Sequence, residues 1–148
     1  MQKRGVSSQV FIYIFVIIVV GLVFLFGFQQ INKLNRLNEQ AVYVEFQSEF
    51  RQSIENVYNK NEGTVMTFSS FSSNKPLRLP SSIKSISFEE KNGEINVIPS
   101  DVKYNRFTVD KLKTTVSNIR TNGEISFVLE NNIIDGETKV ILKDVKEG

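Results

Sequence analysis

The sequence contains neither cysteine nor histidine. Without cysteine there is no disulfide framework, and no thiolate to bind a metal or attack a substrate. Without histidine the commonest general base and the commonest zinc and iron ligand are missing. Proline is scarce too: Pro76, Pro80 and Pro99 are the three in the chain, and they punctuate loops or strand edges. A charge excess of one sign is also absent from the second half. Residues 61–148 hold twelve Lys plus Arg and twelve Asp plus Glu, so this part is formally neutral and offers no electrostatic case for nucleic acid. No phosphate loop, dinucleotide fingerprint or N-x-S/T acceptor occurs in the sequence.

What the chain does have is a long apolar run. Residues 10–28 read VFIYIFVIIVVGLVFLFGF, with no charge among them. As a helix this run is about 28 Å long, close to the hydrocarbon thickness of a bilayer. A helix satisfies every backbone hydrogen bond internally, as lipid requires. The following Phe28-Gln29-Gln30-Ile31 has no small-residue cleavage pattern, so a removed secretory signal fits poorly. Gly21 and Gly27 are six apart, not in the small-xxx-small spacing of packed membrane helices. Lys3 and Arg4 precede the run and Lys33 and Arg36 follow it, nearly a tie. The α-amino group tips the reading toward a single-pass protein of the cell membrane, N-terminus inside and C-terminal domain outside.

A helical rhythm continues beyond the apolar run. Ile31, Leu34, Leu37, Ala41, Val42, Phe46, Phe50, Ile54 and Val57 recur at steps close to three or four. Neither proline nor glycine interrupts residues 29–62, and Gly63 is a natural stop. The pattern predicts one helix from about Val6 to Lys60, first in lipid, then amphipathic over 29–62. Its apolar stripe must face either the chain's own C-terminal domain or a neighbouring subunit. For the second case the assembly face is Ile31, Leu34, Leu37, Phe46, Phe50 and Ile54.

From residue 63 the period shifts toward two. Strands are expected at 64–69, 83–88, 95–98, 124–129 and 138–142, with a further short one within 102–108. Asn92-Gly93 is a strong hairpin signal, Asn122-Gly123 is a second such pair, and Asp135-Gly136 precedes the last strand. Residues 110–119 fit either a short helix or a strand. The expectation is an α+β protein: a long N-terminal helix followed by a small antiparallel sheet or sandwich of five to seven strands over residues 63–148.

Motifs for chemistry are thin. Ser81-Ser82-Ile83-Lys84 matches S-x-x-K, a serine-acylation signature when it opens a helix, but here it precedes an apparent strand and no K-T-G accompanies it. The reading is a turn with an exposed lysine. Glu89-Glu90 with Asp101 or Asp110 could pair carboxylates for acid–base work, but adjacent glutamates beside a turn read as a solvated end. The run FSSFSS at 68–73 reads as a strand end passing into a polar loop, with a surface suited to interaction. No catalytic, cofactor-binding or metal-binding residue is assigned, and no enzyme activity or cofactor is expected.

Lys3-Arg4-Gly5, a short polar stretch, the apolar run and its amphipathic continuation together resemble an archaeal type IV pilin or archaellin-type precursor with a class III signal peptide. In that family a membrane peptidase cuts on the cytoplasmic side of the apolar helix, which then anchors the subunit or packs in a filament core. The resemblance implies Gly5 before the cut, Val6 as first mature residue and residues 1–9 as basic N-terminus and leader. Residues 10–28 become the anchoring segment, and the partners become the lipid bilayer and other pilin-like subunits. Val10 holds the fifth mature position, where many mature pilins carry glutamate. The resemblance therefore points to a minor pilin-like or assembly subunit, the alternative being an unprocessed anchored accessory or ligand-binding protein.

Overall fold

The computed structural model describes residues 5–144, with side chains described from Gln9 onward. Lys3 and Arg4 lie outside the described residues; at the expected processing point the backbone of Gly5 and Val6 is described, and the Val6 side chain is not. The chain is α+β. A single long helix, α1 (Gly5–Tyr58), is followed by ten short strands in three sheets. Contacts divide the chain into two units, Met1–Asn38 and Glu39–Gly148.

In the first unit every described residue is helical, and every described side chain is exposed. The helix from Gln9 onward is long and apolar enough to cross a membrane, and among the described residues none of its most apolar stretch is buried. That pattern inverts the rule for a helix in water, which hides an apolar stripe against a core.

The second unit contains residues 39–58 of α1 and all the strands. They are β1 (Val65–Phe68), β2 (Leu77–Arg78), β3 (Ser85–Lys91), β4 (Glu94–Pro99), β5 (Phe107–Val109), β6 (Leu112–Thr114), β7 (Asn118–Arg120), β8 (Glu124–Ile125), β9 (Phe127–Ile134) and β10 (Glu137–Asp144). One sheet runs β1-β9-β10-β6, another β5-β4-β3-β7, and β2 pairs with β8 alone. On α1, Tyr43, Phe46, Phe50, Ile54 and Val57 are buried, at helical steps of three and four. Phe50 meets Phe127 and Phe107 at ring-centroid distances of 5.4 and 6.2 Å, and Phe68 stacks on Phe127 at 4.8 Å. Fully burying each such ring contributes about 1.5–3 kcal/mol. The buried stripe passes through Tyr43, whereas Ala41 and Val42, expected on it, lie outside the core.

Several expectations need correction. Among the described residues the strands number ten, not five to seven, and β10 pairs with β6 in parallel (Val140 beside Leu112). The helix ends at Tyr58, short of Lys60 and Gly63. Buried Asn131 on β9 donates its amide to Tyr58 O (3.3 Å) and Lys60 O (2.6 Å), taking up carbonyls the helix end leaves unpaired. Gly63 instead turns the chain into β1 with φ +79°, and its N–H donates to Asn131 O at 2.8 Å. Asn92-Gly93 and Asp135-Gly136 do form two-residue hairpins, with φ of 55° and 81°, and 54° and 82°. These are the paired positive values a type I′ turn demands. Asn122-Gly123 makes no hairpin: β7 before it pairs with β3, and β8 after it pairs with β2, so the turn carries the chain from one sheet to another. Residues 110–119 contain no helix. They hold β6 and β7, which lie in different sheets.

Candidate functional site

The expected assembly face divides into two halves of opposite character. Ile31, Leu34 and Leu37 are 55, 62 and 52 % exposed and free to meet another surface. Phe46, Phe50 and Ile54 are 1, 0 and 2 % exposed, buried in the core of their own unit. The second half is therefore corrected: these side chains are not available to a neighbouring subunit, because the β sheets already cover them. Periodicity alone could not separate the halves, since a helix stripe looks the same whatever covers it.

The S-x-x-K motif carries no nucleophile–base pair. It lies in a turn ahead of β3, and Lys84 Nζ donates to the backbone carbonyl of Ser81 at 2.7 Å, not to a serine hydroxyl. Ile83 between them is fully buried, which pins the turn. The acidic residues are also dispersed. Glu89 and Glu90 lie beside the Asn92-Gly93 turn, whereas Asp101 follows the far end of β4. Asp110 follows Val109, which sits across β4 from Glu90, two strand spacings away or about 10 Å. Among the described residues no three carboxylates gather in a way that would hold a metal ion.

The FSSFSS run forms a tight loop after β1. Ser72 Oγ lies 2.7 Å from both Thr67 O and Asn74 O and accepts the Ser69 N–H at 3.1 Å. Its one proton serves one carbonyl at a time. Phe68 faces the core, and Phe71 stands fully exposed at the tip. Beyond this loop lies an open groove of about 640 Å³. One wall is α1, with Glu45, Glu49 and Asn56; the other is the β1–β2 connection, with Asn74 and Lys75, and Arg78 of β2. Facing carboxylates and cations suit a polar or zwitterionic ligand better than an apolar one. Sequence reasoning missed this groove, because its two walls are about thirty residues apart and only the fold brings them together. The loop's serines were the one visible sign.

At the start of the second unit a pair of tyrosines joins α1 to the loop at residues 100–106. The Tyr43 and Tyr104 ring centroids are 4.7 Å apart. Tyr43 Oη donates to Asn105 O, and Tyr104 Oη donates to a Glu39 carboxylate oxygen at 3.4 Å. Burial pushes both phenols above their ordinary acidity range, with the Gln47 hydrogen bond partly opposing it at Tyr43. The Lys103 backbone N–H holds the Asp101 carboxyl below its usual value. At the other end of the helical segment, Lys111 Nζ pairs with Glu55 at 3.2 Å and lies 4.3 Å from the Tyr58 ring centroid. The Glu55 hydrogen bond raises the Lys111 amine. Neither contact has a local signal in the residues, because each joins segments more than fifty positions apart. Comparison with protein-family models, curated proteins and solved structures finds no match.

Proposed function

We propose that this protein is a non-enzymatic, single-pass membrane-anchored subunit of pilin-like plan, in which α1 is the anchor and residues 39–148 form an extracytoplasmic domain. The observation that carries the reading is the apolar surface of α1 from Val10 to Phe28, with Ile31, Leu34 and Leu37 beyond it, all exposed among the described residues. In water so large an apolar surface is untenable, and a bilayer or the core of an assembly removes it from water. Residues 10–28 supply the anchor. Ile31, Leu34 and Leu37 extend the apolar surface toward a neighbouring copy or a related subunit. Intact mass of the protein from native membranes tests the processing step. Loss of residues 1–5, leaving Val6 first, is the expected result, and a chain retaining Lys3-Arg4-Gly5 overturns it.

A second reading is an unprocessed anchored accessory or ligand-binding protein. It is favoured by the enclosure of Phe46, Phe50 and Ile54, which leaves less surface for assembly, and by the polar groove between α1 and the β1–β2 connection. A full-length mass together with a monomeric state in mild detergent selects it.

A further inference from the structure

One end of the second unit is basic and carries an apolar tip. Val102, in the loop at residues 100–106, is 98 % exposed. Lys103 and Arg106 flank it, and both are exposed. Lys84 and Arg120 join them at the same end. Ser100 Oγ accepts the Lys84 N–H at 2.9 Å, Ser100 N–H donates to Ser85 O at 2.9 Å, and Ser85 pairs with Arg120. Among the described residues none of these four cations is in an ion pair. Two carboxylates share this end: Asp101 accepts the Lys103 N–H at 3.0 Å, and Glu39 accepts the Tyr104 hydroxyl. The other end of the same sheet, at the Asn92-Gly93 turn, has the opposite character, with Glu89, Glu90 and Glu94 around Lys91.

The basic end is also the end tied to the start of the unit. Tyr43 and Tyr104 hold residues 100–106 beside Glu39. Glu39 is eleven residues after Phe28, the last residue of the apolar run. Whatever path those residues take, their span is at most about 40 Å, so the chain of an anchored protein lets this end reach the bilayer. Two more cations, Lys33 and Arg36, lie in the same stretch.

Resting on the membrane-anchor reading, we propose that the loop at residues 100–106 is a lipid-docking surface: Val102 enters the interface of an anionic membrane, and Lys84, Lys103, Arg106 and Arg120 engage its phosphates. An exposed apolar side chain at the same end as four cations outside any ion pair matches the two attractions such an interface offers. The tyrosine pair sets the tip's direction, so docking orders the domain on the membrane. Each basic side chain near an anionic surface contributes about a fivefold change in the docked-to-undocked ratio.

The absence of cysteine makes the test direct, because one introduced thiol is the only thiol. Full-length chains bearing Ile17→Cys, Val102→Cys or Glu137→Cys carry an environment-sensitive dye in phosphatidylcholine vesicles, with or without phosphatidylglycerol, and are quenched by spin-labelled lipid. Position 137, beside the Asp135-Gly136 turn, reports on the far end. The expected pattern is quenching at 17 in both vesicles, quenching at 102 only with phosphatidylglycerol and at low salt, and none at 137. Lys103→Gln with Arg106→Gln lowers the docked-to-undocked ratio read at 102 about 25-fold, with an unchanged circular dichroism spectrum. Quenching at 17 without quenching at 102 overturns the docking surface and leaves the anchor standing. No quenching at 17 removes the anchor and the docking together. Equal quenching at 102 and 137, or quenching at 102 that survives the double substitution, overturns the assignment to this loop.

Discussion

Phe50→Ala is the substitution that most sharply separates a core role from an assembly role for the second half of the helix stripe. Phe50 is fully buried. Its ring centroid lies 5.6 Å from Phe46, 6.4 Å from Phe88, 6.2 Å from Phe107 and 5.4 Å from Phe127. All four fall within the 4.5–7 Å range over which aromatic pairs add about 0.5–1.5 kcal/mol beyond area burial. A Phe→Ala truncation in a core costs about 3–5 kcal/mol. Four aromatic neighbours around one ring, whose packing cannot close the gap without losing other contacts, place this one toward the upper end. The pair contributions share the same ring and do not add on top. Against a total stability of about 5–15 kcal/mol, the variant loses a large fraction, and its Tm falls by about 15–25 °C. The assay is thermal unfolding of the full chain in detergent, followed by near-ultraviolet circular dichroism and tyrosine fluorescence, with Tyr43 and Tyr104 as reporters inside the unit. Leu34→Ala is the control. Its side chain is mostly exposed, and its effect on the same transition stays within about 0.5 kcal/mol. A Phe50→Ala variant that unfolds within about 1 kcal/mol of the parent, while losing self-association, overturns the core assignment. The aromatic cluster would then be an interface and not a core.

Other substitutions and pH probe the remaining joints. Asn131→Asp replaces an amide donor by a carboxylate facing the carbonyls of Tyr58 and Lys60 at a helix C-terminus, where negative charge is disfavoured. It is expected to cost about 3 kcal/mol at neutral pH in urea unfolding, and to recover part of that as the carboxyl protonates in acid. Gly93→Ala meets nothing within 4 Å, so its cost is conformational, about 1–2 kcal/mol for holding alanine at φ +81°. Gly27→Ala, with the same free space and an ordinary helical backbone, leaves the unfolding curve unchanged. Stability is expected to fall as pH rises above about 10. Tyr43 and Tyr104 are raised in the folded state, chiefly by burial, so the unfolded chain releases their protons first. Lys111, raised chiefly by its Glu55 hydrogen bond, likewise keeps its proton longer when folded. In that window the unfolded state binds fewer protons, and the slope of stability against pH is negative. Urea midpoints that stay flat or rise through this range would contradict the assignments.

Features with local causes were legible in the residues alone. An uninterrupted apolar run demands a helix wherever water is absent, and α1 follows. Asn92-Gly93 and Asp135-Gly136 tolerate positive φ at two consecutive positions, and both became hairpins. Alternating apolar residues in 83–88 and 138–142 placed strands near β3 and β10. Which strands pair emerged from the fold, because pairing depends on contacts far apart in the chain. Lys111 turns with φ 60° between β5 and β6, and Asn122-Gly123 turns between β7 and β8, each moving the chain to a different sheet. A local turn signal is the same whether the next strand returns to its neighbour or leaves it. The fate of the helix stripe was settled in the same way. Ile31 and Phe50 obey one periodicity, yet one is exposed and the other enclosed. The difference lies in Phe68, Phe107 and Phe127, which the sheets bring against the later turns. Burial belongs to the pair of surfaces that meet, and the helical period describes only one of them.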